Sequence, residues 1–428
     1  MLDLNLIRQK PGYVKKMLQR KGFEFNVEEF LSLDKERRKL ISEIENLRHL
    51  QKTLSKKRPL PLEKLKEIKS KIKSLEKILE EKERKFKKVL YSLPNLPLEE
   101  VPEGKDETEN VVVKEVGRRP EFNFQIKDHL ELGEKFSLID VKRAGKIAGS
   151  RFCYLKNEAV LMEFSLLNFV FDFLTKEKNL KKIIQKNKIE VPPKPFIPIL
   201  PPVMIKPEMM KGMGYLLRAP EEGYFIEKDN LYLVGTAEHS IGPMHAGEIL
   251  REKDLPLRYL GFSTCFRREA GSWGKDTRGI FRVHQFDKIE MFSFVRPEDS
   301  KNEHKFLLAI EETLVQKLNL PYRVVQICSG DLSDPSAASF DIECWIPSQK
   351  RYRETHSCSN CTDFQARRLN IRFRREKTGK VEYVHTLNAT AFAIGRTLIA
   401  IFENYQTKEG KIKIPKILQK YLNKKEIG

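Results

Sequence analysis

The sequence predicts an α+β protein in which a helical hairpin precedes a larger domain of strands and helices. Between residues 30 and 90, apolar residues recur at alternating steps of three and four, which is the repeat of a coiled coil. Beyond about residue 115, strand-like segments follow one another without regular βαβ alternation. A polar, acidic stretch at residues 99–109 separates the two patterns. We therefore expect a helical domain at residues 1–105 and a second domain at residues 106–428.

The hairpin is predicted from two runs of eight seam positions. Six positions of the first run and seven of the second are apolar. The first run is Phe30, Leu33, Arg37, Leu40, Ile44, Leu47, Gln51 and Leu54, and the second is Leu65, Ile68, Ile72, Leu75, Leu79, Lys82, Phe86 and Val89. Pro59 and Pro61 cannot continue a helix, so the chain turns near residues 57–62 and the helices fold back antiparallel over residues 30–90. Helices of about 25 residues project about 40 Å.

The hairpin carries half of the chain's excess positive charge. The formal net charge is +20, and residues 34–90 contain 20 Lys and Arg against 10 Asp and Glu. A basic rod attracts phosphate polyanions such as RNA. The same residues are also compatible with a structural or dimerising coiled coil, and with the lysine and glutamate enrichment of organisms that grow hot.

Neither the apolar runs nor the cysteines indicate a secreted or membrane protein. The apolar runs are short, and charged Asp3 and Arg8 lie near the start, so we expect a cytoplasmic protein without a membrane partner. The six cysteines are sparse and irregular, which favours reduced thiols. Cys358 and Cys361 have the spacing of half a zinc site, but no second ligand pair lies at a matching distance, so no zinc is expected.

The second domain mixes strand and helix patterns. Strands are predicted at residues 231–234 and 289–294, and helices at residues 303–318 and 397–405. The segment 176–198 is rich first in lysine and then in proline, which favours a surface excursion within this domain.

An arginine-rich segment is the strongest candidate for a phosphate site. The sequence contains neither a Walker loop nor a dinucleotide-binding glycine loop, so bound phosphates would be held by arginines. Residues 265–290 have the pattern strand, glycine-rich turn, strand, and present Arg267, Arg282 and Phe286. Guanidinium groups suit phosphates and the ring suits a stacked base. By composition alone, such a hairpin is also typical of a solvated or RNA-contacting surface.

Residues 266–269 (Phe-Arg-Arg-Glu) followed by residues 282–286 resemble motif 2 of class II aminoacyl-tRNA synthetases. Residues 393–396 (Ala-Ile-Gly-Arg), opening a helix, resemble motif 3. Further strings resemble the bacterial-type seryl-tRNA synthetases, and so does the helical hairpin, so the resemblance covers nearly the whole chain. These strings are residues 236–238, 264–267 with 270–272, Glu354 with 357–360, 363–368 and 385–388.

This resemblance implies a catalytic domain built on an antiparallel β-sheet flanked by helices. It implies ATP-dependent ligation of L-serine to tRNA(Ser) through a seryl-adenylate, with Mg²⁺ accompanying ATP, and serylation of tRNA(Sec) where that tRNA is present. It also implies a homodimer in which the hairpin reaches across to the long variable arm of the tRNA. Residues 200–204 resemble the motif 1 strand of the dimer interface and are the weakest match.

The resemblance assigns roles to sixteen residues. Arg267 is expected on the α-phosphate and the serine carboxylate, and Arg396 on the γ-phosphate. The expected serine site is Thr236, Ala237, Glu238, Arg267, Glu290 and Thr390. The expected ATP site is Arg267, Arg268, Glu269, Arg282, Val283, Phe286, Glu354, Thr355, His356, Ser357 and Arg396, with Glu354 and Ser357 also contacting Mg²⁺.

Three positions depart from the pattern of the family: Arg268 and His356 stand where serine is usual, and Ala389 stands where glycine is usual. Two rival functions predict different sequences. A relative that charges a carrier protein would lack an intact hairpin, and a non-catalytic RNA-binding relative would lack the arginines of motifs 2 and 3. This chain has an intact hairpin and retains the arginines of motifs 2 and 3.

Overall fold

The structure, a computed structural model, describes residues 1–57, 59–215, 220–270 and 278–428. Gly271 and Ser272, part of one string that resembles the family, lie outside the described residues. Contacts between residues divide the chain into two compact units, Met1–Leu96 and Pro97–Gly428. Residues 97–105 were predicted to belong to the helical domain. They lie in the second unit, where buried Val101 clusters with Val325.

The first unit is helical. Its helices are α1 (Leu4–Gln9), α2 (Pro11–Arg20), α3 (Val27–Leu54) and α4 (Leu62–Ser92). The side chain of Asn26 accepts a hydrogen bond from the Glu29 backbone and so caps the start of α3, where acidic residues also favour the positive end of the helix dipole. Pro59 and Pro61 fall between α3 and α4, as the sequence predicts.

Helices α3 and α4 form the predicted antiparallel coiled-coil arm. All sixteen seam positions are buried or half-buried. At its base, the ring of Phe30 stacks on that of Phe86 with centroids 4.9 Å apart. Farther out, Arg48 pairs with Glu76 at 2.7 Å. Because the contact residue in α4 moves back from Phe86 to Glu76 as that in α3 moves forward from Phe30 to Arg48, the helices run antiparallel.

The second unit contains ten further α-helices and eighteen strands in its described part. The α-helices are α5 (His129–Lys135), α6 (Val141–Ala148), α7 (Glu158–Leu174), α8 (Glu177–Asn187), α9 (Pro207–Met213), α10 (Glu238–Ile241), α11 (Ser300–Lys317), α12 (Phe364–Leu369), α13 (Ile394–Asn404) and α14 (Lys416–Leu422). Short 3₁₀ helices are Glu107–Glu109, Pro220–Glu222, Gly242–His245, Glu252–Asp254, Pro297–Asp299 and Pro347–Gln349. The strands are β1 (Val111–Val116), β2 (Ile139–Asp140), β3 (Tyr154–Leu155), β4 (Ile197–Ile199), β5 (Met204–Ile205), β6 (Phe225–Ile226), β7 (Leu231–Leu233), β8 (Ile249–Arg251), β9 (Leu257–Phe266), β10 (Gln285–Val295), β11 (Tyr322–Gln326), β12 (Ala338–Ile346), β13 (Arg351–Asn360), β14 (Arg372–Arg374), β15 (Val381–Tyr383), β16 (His385–Ala393), β17 (Ile412–Lys413) and β18 (Glu426–Ile427).

Eight strands form one sheet in the order β1-β11-β12-β13-β16-β10-β9-β4. Its pairings are antiparallel except that of β4 with β9, which is parallel. Helices α7, α11 and α13 contribute to the largest buried apolar cluster together with the sheet. The predicted antiparallel sheet flanked by helices is confirmed. Four smaller sheets have the orders β15-β14-β8, β5-β7-β6, β2-β3 and β17-β18.

Two local predictions were wrong. The segment 176–198 is not a surface excursion: it contains α8, whose Leu180 and Ile183 are buried in the main core, and reaches β4 of the large sheet. Residues 200–203, expected in a strand, lie between β4 and β5. Pro201 and Pro202 account for this gap, because proline cannot donate to a ladder of strand hydrogen bonds.

No helix in the described ranges is both long enough and apolar enough to span a membrane.

Candidate active site

A cavity of about 400 Å³ opens over the middle of the large sheet. Four neighbouring strands, β9, β10, β16 and β13, contribute to it, together with the loop before α10 and the start of α13. Sequence segments that are more than 100 residues apart therefore meet at one place, because the strand order puts their strands side by side.

Thirteen of the sixteen predicted site residues line this cavity. They are Thr236, Glu238, Arg267, Glu269, Arg282, Val283, Phe286, Glu290, Glu354, Thr355, Ser357, Thr390 and Arg396. Arg282 lies before the second strand of the predicted strand–turn–strand segment, because β10 begins at Gln285. Its Nη1 donates to Glu269 Oε2 at 2.8 Å.

The other three predicted residues lie outside the cavity. Ala237 is fully buried, and a Cβ added at Gly261 of β9 would come within 3.2 Å of its Cβ. Ala237 therefore packs the loop closely against the sheet and presents no side-chain polar group to a ligand.

Arg268 and His356, two of the departures from the family pattern, also have structural partners. The guanidinium of Arg268 lies 4.9 Å from the Tyr224 ring, and its Nε donates to the Gly223 carbonyl at 3.1 Å. The His356 ring is buried 5.6 Å from that of Phe392 in the core, and burial lowers its pKa to about 4, so it is neutral near pH 7.

Two buried acids stand at one end of the cavity. Glu290 is 1% exposed, pairs with Lys288 Nζ at 2.6 Å and accepts a hydrogen bond from Thr390 Oγ1 at 3.3 Å. Glu238 is 3% exposed, and its Oε2 has no hydrogen-bond partner among the described residues. Burial and the charge of Glu290 raise the pKa of Glu238 to about 7. This acidic end is therefore suited to a ligand that carries a positive charge and a hydroxyl group.

Arginines dominate the opposite end. Arg267 Nε donates to the Gly235 carbonyl at 3.1 Å, and its guanidinium lies 5.3 Å from the Phe286 ring. Arg396 Nη1 contacts Glu354 Oε1 at 3.0 Å. The Glu354 side chain is 48% exposed, and the positive charges of Arg396 and Arg267 lower its pKa, so this carboxylate is ionised. This arginine end is suited to phosphate groups.

A second cavity, of about 1000 Å³, shares Arg282, Glu354 and Arg396 with the first. Three further arginines line it: Arg323, Arg351 and Arg353. Four acidic residues, Glu107, Asp331, Asp341 and Glu343, also line it, so the arginine end continues into a space of mixed charge.

Several residues that line the cavity were not predicted from the sequence: Tyr215, His239, Phe281, Lys288 and Asn388. Lys288 could have been predicted, because it lies between the predicted site residues Phe286 and Glu290 at steps of two in β10, and alternate residues of a strand share a face. The same alternation joins Asn388 to Thr390 in β16. No periodic pattern marks the other three.

Cys358 and Cys361, which have the spacing of half a zinc site, do not line the cavity. Cys358 and Cys361 are both buried, and Asn388 Nδ2 donates to Cys361 Sγ at 3.7 Å. Within the described residues, no three His, Cys, Asp or Glu side chains are grouped so that they could hold a metal ion by themselves.

Comparison with known proteins places this architecture in a family. Residues 1–97 match the seryl-tRNA synthetase N-terminal domain, and residues 224–405 match the tRNA synthetase class II core domain (G, H, P, S and T). A serine–tRNA ligase of Dictyoglomus turgidum is 45% identical over 439 residues, covering 100% of this chain and 99% of the relative. The chain belongs to the seryl-tRNA synthetase family.

Other members of the seryl-tRNA synthetase family agree over the full length. A serine–tRNA ligase of Nitrosopumilus maritimus is 42% identical, with 100% of both chains covered. A seryl-tRNA synthetase from Pyrococcus horikoshii, solved with ATP, has a TM-score of 0.88 and 41% identity, covering 100% of this chain and 99% of that one. A cytoplasmic serine–tRNA ligase from Naegleria fowleri, solved with AMP, has a TM-score of 0.85 and 33% identity, covering 100% and 98%. The predicted family and its class II fold are confirmed.

Replacing Glu238 with Gln tests how much the ionised, buried Glu238 destabilises the folded protein. Because the pKa of Glu238 is raised from 4.5 to about 7, the folded protein retains a proton that the unfolded chain loses, and stability falls as the pH rises between these values. Gln imitates the protonated acid. We expect Glu238→Gln to change the Tm of the ligand-free protein little at pH 5 and to raise it at pH 8.5. The free energy of unfolding at pH 8.5 should increase by at most about 3 kcal/mol. Thermal unfolding at the two pH values measures this, and an equal change at both would contradict it.

Proposed function

We propose that the protein ligates L-serine to tRNA(Ser) in two steps, first forming a seryl-adenylate from serine and ATP and then transferring the seryl group to the tRNA. The observation that carries this proposal is a single cavity with a buried acidic end and an arginine end. The relatives also support this proposal, because they are serine–tRNA ligases and related structures were solved with ATP or AMP.

The first step requires alignment and charge neutralisation more than a side-chain nucleophile. The serine carboxylate attacks the α-phosphorus, and pyrophosphate leaves. Arg267 is at the arginine end, but its charge acts on both Glu238 and Glu354, so it would contact both the α-phosphate and the serine carboxylate. Arg396 would neutralise the γ-phosphate, and Phe286 would stack on adenine. Preorganised cations at these places stabilise the charge that shifts onto phosphate oxygens.

Glu354 and Ser357 fit a magnesium ion bound with ATP. Both line the cavity, both offer hard oxygen atoms, and Glu354 is ionised. Mg²⁺ usually takes one or two protein oxygens and completes its shell with water and phosphate oxygens. When bound, the ion would neutralise phosphate charge. The two side chains would hold it on the side of the cavity nearest Arg396, which already contacts Glu354.

Serine would be selected at the acidic end. The Oε2 atom of Glu238, which has no partner within the described structure, would accept from the serine ammonium group, and Thr390 and Glu290 would bond the hydroxyl group. With alanine, these buried groups would stay unpaired. Sites of this kind discriminate by about 10⁴ to 10⁵, whereas an apolar pocket discriminates a methylene by about 10- to 200-fold.

Transfer to tRNA is proposed to depend on the coiled-coil arm. Its antiparallel seam makes a stiff rod with excess lysine and arginine, which suits contacts with a phosphate backbone. Such contacts recognise shape more than base sequence.

A homodimer is part of the same proposal. Exposed apolar side chains on α7 support it: Leu161 is 48% exposed and Phe164 is 53% exposed. Leu200, next to β4, is 77% exposed. A second copy of the chain would cover this surface.

Serine-dependent exchange of labelled pyrophosphate into ATP tests the activity. We expect serine, but neither alanine nor threonine, to support exchange, because alanine leaves polar groups unpaired and threonine is too large. Arg396→Ala should raise the KM for ATP at least about tenfold, since a charge-assisted contact is lost. Arg118→Ala, at an arginine with 85% side-chain exposure, is the matched control and should behave like the parent. Exchange with none of the amino acids would contradict the activity, and an unchanged ATP dependence would remove Arg396 from the site.

Shortening the arm tests the division between activation and transfer. Residues 49–75 are replaced by a short glycine linker between Arg48 and Glu76, whose side chains already meet at 2.7 Å. We expect serine-dependent exchange to stay near the parent value while serylation of tRNA(Ser) falls at least about tenfold, because phosphate contacts are lost. Equal loss of both activities would contradict the division.

A further inference from the structure

His239 lines the cavity but has no role in the proposed reaction. It follows Glu238 in α10 and is 7% exposed. The Tyr215 ring covers it, with ring centroids 4.7 Å apart. A polar side chain is thus held tightly beside two substrate sites.

Its hydrogen bond reaches the loop that joins the two ends of the cavity. The backbone N–H of Gly235 donates to His239 Nδ1 at 3.2 Å. The carbonyl of the same Gly235 accepts from Arg267 Nε at 3.1 Å. Thr236, at the acidic end, is the next residue in the chain. One glycine thus connects His239 to a residue at the acidic end and to an arginine at the phosphate end.

The protonation state of His239 suits an acceptor. Burial, together with the positive charges of Arg267 and Lys288, lowers its pKa to about 3. The imidazole is therefore neutral near pH 7 and does not repel Arg267. Because Nδ1 accepts the Gly235 N–H, the proton of the neutral ring is on Nε2.

The side chains of His239 and Arg267 both approach this glycine at van der Waals contact distance. A Cβ added to Gly235 would lie 3.5 Å from His239 Cε1 and 3.6 Å from Arg267 Cγ. Because the Gly235 N–H bonds to the imidazole and the Gly235 carbonyl bonds to Arg267, a displacement of the ring would move the Gly235 peptide, and Arg267 would lose its backbone acceptor or move with it. A buried N–H without an acceptor is costly, so the loop would shift to find another partner.

We propose that His239 is a positioning residue that sets the serine and ATP subsites relative to each other through Gly235. This inference rests on the proposed function. His239 acts by accepting one backbone hydrogen bond, and it neither touches the reacting atoms nor transfers a proton. Affinity for both substrates should therefore depend on an acceptor at the Nδ1 position, and it should not depend on titration of the ring.

Three substitutions separate this role from packing. His239→Asn keeps an acceptor oxygen close to the Nδ1 position, His239→Gln places it farther out, and His239→Leu fills the volume without an acceptor. In serine-dependent pyrophosphate exchange, we expect Leu and Gln to raise KM for both serine and ATP about tenfold, and Asn to stay within about threefold of the parent. The pH profile of kcat between pH 6 and pH 8 should keep its shape in all three.

Each other outcome has a definite meaning. Parent-like KM values with His239→Leu would show a packing role and overturn the inference, as would a rise in KM for one substrate alone. If His239→Leu does not fold, His239→Asn and His239→Gln still test the inference, because equal KM values for these two polar variants would overturn it. Loss of an acidic limb from the pH profile would indicate proton transfer and overturn it as well. Absence of serine-dependent exchange in the parent would contradict the proposed function, a separate result.

Discussion

The register of β10 between β9 and β16 is the constraint on which the site depends. Phe286 pairs with Cys265 of β9, and Glu290 pairs with Thr390 of β16. Because side chains alternate along a strand, a slip of one residue would turn Phe286, Lys288 and Glu290 away from the cavity. A register shift between Ile289 and Glu290 adds one residue on β16 there, and such bulges re-aim side chains beside active sites.

The charges at the cavity follow from this register. Lys288 and Glu290 face the same side, so Lys288 neutralises Glu290, while Glu238 from α10 is buried nearby and has no equivalent ion pair among the described residues. Its raised pKa is the consequence of burial and of Glu290. At the other end, Glu354 lies among arginines and its pKa is lowered. Two glutamates in one cavity thus differ in protonation because their neighbours differ.

Much of the architecture could be predicted because its signals are periodic. The seam from Phe30 to Val89 and the break at Pro59 and Pro61 specify the arm. The helix α8 was missed because its many lysines hid Leu180 and Ile183, which are three residues apart as on one helix face. At the site, thirteen residues came from the resemblance to family motifs, and the structure brings them together. His239 could not be found in this way, because its partner is a backbone N–H four residues earlier and no side-chain pattern reports such a bond.

In the proposed reaction, Glu238 is an acid that is poised to lose its proton when the serine ammonium group arrives. Calorimetric titration of serine in buffers with different ionisation enthalpies measures this directly. Because the pKa of Glu238 is raised to about 7, binding at pH 7 should release a fraction of a proton per site, the release should be smaller at pH 8, and at pH 7 it should be absent in Glu238→Gln. Binding of serine without proton release at pH 7, or with the same release in Glu238→Gln, would contradict this role of Glu238.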